Sequence, residues 1–135
     1  MTIKEIFISE DGVVESATVD FDRKKSELTF SMLNGFKKTY AAYDLYACLG
    51  LVRKDFPNKK FLCKGAKLNV HPSSMSSQMS CGLVAYELRW GESAEDEDMV
   101  RIFDYEENDL TSNIEEQHDY YRRWISSINV NKIGE

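Results

Sequence analysis

Apolar and polar residues alternate with two periods along this chain, and the period changes after the first third. Up to Gly35 the period is two. Ile6 and Ile8 mark a short strand that ends at the turn signal Glu10-Asp11-Gly12. Ala17, Val19 and Phe21 then alternate with Thr18, Asp20 and Asp22. After the polar turn DRKKS, Leu28, Phe30 and Met32 alternate with Glu27, Thr29 and Ser31. Two such runs around a charged turn predict a hairpin with one buried and one wet face, closed by Asn34-Gly35.

Beyond it, Leu45, Leu49, Val52 and Phe56 fall at i, i+4, i+7 and i+11, one helical stripe that Tyr43, Tyr46 and Ala47 widen. Thr39 is placed to cap this helix, and Pro57 stops it because a residue before proline resists the αR region. The stretch KFLCKGAKLNV reads as a further strand, with Ala66, Leu68 and Val70 alternating against Lys67 and Asn69 and with His71-Pro72 at its end. Residues 74–90 fit two patterns. Met75, Met79, Leu83, Tyr86 and Trp90 suit a helix, whereas Val84, Tyr86, Leu88 and Trp90 suit a strand. A helix ending at Gly91 is the preferred reading, although Gly82 weakens it.

Ser93 and Asp96 form a capping-box pair before a short helix carrying Met99, Val100 and Phe103. Ser112 and Glu115 repeat the box before the most regular stripe, Ile114, His118, Tyr121, Ile125 and Ile128. The sum is an α+β fold: a small antiparallel sheet from the N-terminal half, with helices mainly in the C-terminal half.

With 135 residues and no linker or repeat, the chain is read as a single domain, 1–135. No apolar run approaches the ~20 residues that cross a bilayer, and the N-terminus has no basic-then-apolar leader pattern, so a cytoplasmic protein is expected. Cys48, Cys63 and Cys81 form neither a CxxC pair nor a disulfide framework. They read as reduced structural thiols, and no metal or cofactor is expected.

Charge alters the picture more than composition does. Residues 91–119 hold twelve acids against one base, Arg101, within a chain of net charge −6. Such a segment repels phosphates, which disfavours nucleic acid as a partner, and attracts a basic protein. Taken singly, each acid fits a solvated helix face. Lys59, Lys60, Lys64 and Lys67 beside Phe61 form a small basic strip without any nucleic-acid-binding signature.

Reactive chemistry finds little support. The stretch HPSSMSSQMSCG, residues 71–82, offers Ser73, Ser74, Ser76, Ser77, Ser80 and Cys81 as nucleophiles, with His71 or His118 as base. No nucleophile elbow or SxxK motif accompanies them, and a serine cluster before a helix is more often N-cap chemistry, with Ser73 or Ser74 accepting the first amides. EDED at 95–98 lacks the interleaving of a calcium loop and complements a helix dipole instead.

Residues 70–103, VHPSSMSSQMSCGLVAYELRWGE followed by EDMVRIFD, together with EEQHDYYRRWISSI near the C-terminus, resemble small bacterial immunity proteins of contact-dependent growth inhibition and related polymorphic toxin systems. The resemblance implies a cytosolic inhibitor rather than an enzyme. Its partner would be a cognate toxin domain with a basic cleft, a nuclease, and neither nucleic acid nor membrane would be bound directly. The acids Glu92, Glu95, Asp96, Glu97, Asp98, Asp104, Glu106 and Glu107 would meet that cleft, with Trp90, Tyr105 and Tyr120 as aromatic anchors. The alternatives are a ligand or enzyme site built on His71, Ser73, Ser74 and Gln78, and a homodimeric adaptor using the last helix.

Overall fold

The computed structural model describes residues 2–133, with side chains as far as Asn129. β1 (Thr2–Glu10), β2 (Val13–Asp22), β3 (Glu27–Met32) and β4 (Lys37–Ala41) run up and down as a meander, and β5 (Lys60–Phe61) joins the far side of β1. The order is β4-β3-β2-β1-β5, antiparallel throughout. Alternation sets the buried face, since successive side chains of a strand point to opposite sides. Val19 stands opposite Phe30 and Phe21 opposite Leu28, all four buried. β4 is absent from the pattern-based expectation, because Tyr40 is its one buried residue.

α1 (Leu45–Asp55) packs Leu45, Leu49 and Val52 onto that face. Phe30 sits beneath Phe56 and Phe61, with ring centroids 5.7 and 5.6 Å away. Burying such side chains contributes ~1.5–3 kcal/mol each. The helix is capped by Asp44, whose Oδ1 accepts from the Ala47 amide at 2.7 Å. Thr39 does not cap it, because it lies in β4 and exchanges a 2.7 Å hydroxyl bond with Thr29.

The expected strand over residues 60–70 breaks in two. After β5 the chain makes a 3₁₀ turn at Lys64–Ala66, then enters a second sheet as β6 (Val70–His71). Gly65 sits too close to Leu49 and Ile102 for a side chain, a Cβ there meeting Leu49 Cδ2 at 2.7 Å.

α2 covers only Ser74–Ser80, correcting the longer helix expected up to Gly91. Cys81 and Gly82 both take positive φ, 56° and 74°, and the strand β7 (Val84–Glu87) follows. Gly82 is required twice over, since a Cβ would also lie 2.7 Å from the Asp44 carboxylate. Met75 and Met79 therefore face solvent, 69% and 79% exposed, instead of joining a buried stripe. The helix expected after Ser93 is likewise one 3₁₀ turn, Asp96–Asp98, leading into β8 (Met99–Arg101). Val100 pairs with Ala85 there, so sheet pairing overrides the local helix signal and completes a sheet of order β6-β7-β8.

α3 (Ile114–Ile133) closes the molecule. Its first turn is held by Asn113, whose side chain accepts from the Glu115 amide at 3.0 Å, in place of the Ser112 box. Gln117 and Trp124 are buried, whereas Ile125 is 38% exposed, so the inward stripe is rotated from the one expected.

Candidate functional site

The acidic stretch is assembled on α3 by one tryptophan. Trp124 Nε1 donates to the carbonyls of Arg89 and Glu92, at 2.9 and 3.0 Å, and so fastens the turn between them. Glu92 N–H donates back to the Arg89 carbonyl at 3.2 Å, and Gly91 takes the φ of 74° that this turn needs. The Gly91 amide also donates to Ser127 Oγ at 2.9 Å. Trp90 is thereby laid against Tyr120, with centroids 4.7 Å apart, while remaining 49% exposed. The Arg123 guanidinium lies 6.0 Å from the Trp90 ring.

Beside this pair, Arg89 gathers acids. Asp98 lies 3.1 Å from it, Glu92 3.5 Å and Glu97 3.9 Å. Asp98 also accepts from the Glu95 amide at 2.9 Å, fixing the 3₁₀ turn. Glu92, Glu95, Asp96 and Glu97 are exposed. Asp104 is exposed and pairs with Lys4 at 3.2 Å. Tyr105 is 57% exposed, edge-on to Phe7, and donates its hydroxyl to Glu107 at 3.1 Å.

Glu106 departs from the rest of the acidic set. It is 7% exposed, and Lys64 and Lys67 approach its Oε1 at 3.0 and 2.9 Å. The amides of Glu107 and Asn108 donate to Oε2, each at 2.9 Å. Burial works to raise its carboxyl, but the two lysines and two amides prevail and hold it at about 2. Glu87 bonds the same lysines, so two acids and two bases of the surface charge count are consumed internally. The basic strip loses Lys64 and Lys67 in this way, and Phe61 is buried.

His71, Ser73, Ser74 and Gln78 do come together, lining a shallow depression of about 300 Å³ with Tyr43, Asp44 and Tyr121. The polar atoms of His71 and Ser73 are occupied, whereas the side chains of Ser74 and Gln78 make no hydrogen bond among the described residues. Ser73 is the N-cap of α2: its Oγ accepts from the Ser76 amide at 3.0 Å, and its own amide donates to Ser76 Oγ at 2.9 Å. His71 Nδ1 is 2.7 Å from the Pro72 carbonyl, and its Nε2 is 3.0 Å from His118 Nδ1. Tyr121 stacks flat on His71, centroids 4.0 Å apart. Burial pushes the His71 imidazole down to about 4, so the ring is neutral at neutral pH.

That geometry settles the tautomers. A carbonyl only accepts, so His71 Nδ1 carries the proton and its Nε2 is the lone pair. His118 Nδ1 must therefore donate, leaving Nε2 of neutral His118 as an acceptor.

Two residues that the pattern left unmarked hold these elements in place. Arg53, fully buried on α1, donates to the Thr111 carbonyl and to Gln117 Oε1, both at 2.7 Å. Gln117 donates in turn to the carbonyls of Gly65 and Lys67, at 2.9 and 2.8 Å. The available signal was position: Arg53 follows Leu49 by four, and Gln117 follows Ile114 by three, each on an apolar face.

Compared with known proteins, the chain matches no family model and no curated sequence. Among the described residues, no helix is long and apolar enough to cross a membrane.

Proposed function

We propose that this protein is a cytoplasmic immunity protein, which binds a basic, nuclease-type toxin domain and covers its active site or substrate surface without performing a reaction. The observation that carries this reading is the Trp90–Tyr120 pair, half-exposed and fixed to α3, beside the exposed acids Glu92, Glu95, Asp96 and Glu97. Rigid aromatics flanked by charge are what a protein interface uses as anchors, and acids placed where phosphates would lie complement a basic cleft. Asp104, Tyr105 and Glu107 extend the surface, while Glu106 supports it from below.

The test is isothermal titration of the chain against the toxin domain encoded upstream of it. Binding at or below micromolar concentration, weakened about thirtyfold by Trp90→Ala, is the expected result. Absence of binding at micromolar concentration rejects the reading.

A further inference from the structure

Between α1 and the first turn of α3 lies a cleft of about 510 Å³, large enough for a small organic ligand. Ala47, Gly50 and Leu51 of α1 and Ile114 of α3 give it an apolar lining, and Tyr43, 72% exposed, forms a lip. Gly50 lets the helices meet at its base, because a Cβ there would lie 2.5 Å from Ile114 Cδ1.

Four ionisable groups line the cleft: His118, Lys54, Glu115 and Tyr43, whose phenol burial and the neighbouring Asp44 and Glu115 keep protonated. His118 is oriented by the relay from the Pro72 carbonyl through His71, which occupies its Nδ1 and leaves Nε2 as the free nitrogen. The Lys54 side chain makes no hydrogen bond or ion pair among the described residues, and its charge acts only at a distance on the Asp55 carboxylate.

We propose that this cleft binds a small carboxylic acid with an apolar body, its carboxyl group at His118 Nε2 and its body against Ala47, Leu51 and Ile114. Neutral His118 accepts the proton of the acid; charged His118 donates to the carboxylate. The contact needs one proton between the two groups, so it forms with the charged imidazole and the carboxylate or with the neutral imidazole and the acid, and not when both have lost it. Lys54 and charged His118 favour the anion, against Glu115 on the lining and Glu116 in the same first turn of α3. The cleft shares no residue with the Trp90–Tyr120 surface, so the proposal stands or falls independently of toxin binding.

Long-range ¹H–¹⁵N NMR of the full chain tests it, with phenylacetate as probe and benzylamine as the cation of similar shape. Phenylacetate is expected to saturate in the millimolar range or below. Amide shifts should be confined to residues 42–57 and 112–118, and the His118 ring nitrogens should move. Benzylamine should bind about tenfold more weakly. Leu51→Glu, at an exposed position, should abolish binding while the amide spectrum stays that of the folded chain, and Lys54→Ala should weaken it. No saturation by phenylacetate at tens of millimolar, equal binding of benzylamine, or shifts mapping elsewhere would overturn the proposal.

Discussion

Glu106 and Asp98 belong to the same acidic run, yet the fold treats them oppositely. Glu106 is sunk between Lys64 and Lys67 and also takes two backbone amides, whereas Asp98 shares the exposed Arg89 with Glu92 and Glu97. Around Glu106, three elements distant in sequence meet: the turn after β5, β7 and the loop before α3. Around Arg89 the bonds are local, within ten residues of chain. Charge counted along a sequence is therefore not charge displayed on a surface. Glu106 is spent on the fold, Asp98 holds its own turn, and Glu92, Glu95, Asp96 and Glu97 remain exposed for a partner.

The sharpest way to break that contrast is to remove Glu106. Glu106→Ala leaves Lys64 and Lys67 crowded with only Glu87 between them, and should cost about 3 kcal/mol of stability, read from the urea midpoint. Asp98→Asn should move that midpoint less, since its partner Arg89 is exposed and an asparagine oxygen still accepts from the Glu95 amide. Comparable losses in the two variants would dissolve the distinction.

On the binding side the ranking reverses. Trp90→Ala should weaken toxin-domain binding by about 2 kcal/mol, with near-wild-type unfolding, whereas Glu106→Gln and Asp98→Asn should weaken it less. Reversing Asp96, Glu97 and Glu107 together should slow association and flatten its salt dependence, measured by stopped flow at two ionic strengths. Asp98 is omitted from that set because it also bonds the Glu95 amide. An unchanged on-rate would move the interface elsewhere.

A finer separation comes from acid titration. The Glu106 carboxyl is depressed in the folded state, from 4.5 to about 2. Its contribution is thus present above pH ~4.5 and is lost as pH falls towards 2, because the unfolded chain then binds the extra proton. The stability gap between wild type and Glu106→Gln should shrink across that window. A gap constant from pH 6 down to pH ~2 would show that the ion cluster is not its source. His71 adds a loss of the same sign at higher pH. Its folded value of about 4 lies below the ordinary 6.5, so stability declines as pH falls from 6.5 towards 4.

The candidate sites were unequally legible. A serine cap on α2, at Ser73 or Ser74, follows from serine chemistry alone, and the structure chooses Ser73. The partnership of His71 with His118 does not, because the two rings are 47 residues apart and meet only when α3 docks on β6. Met75 and Met79 share a helical face with Leu83, yet Cys81 and Gly82 break the helix before that face continues. Helical spacing in a short window carries no information about where the chain must turn to let Asp44 approach Gly82.

By itself, the sequence determined β1, the β2–β3 hairpin, α1, α3 and the mixed α+β class, since each is written in a period that a single element must satisfy to bury one face. Tertiary structure decided the rest. It placed residues 84–87 and 99–101 in a second sheet, although local spacing favoured helix, because strand pairing there satisfies backbone groups that a short isolated helix leaves open. It also chose which acids face solvent. Burial and ion pairing depend on neighbours distant in the chain, and one-dimensional spacing does not contain them.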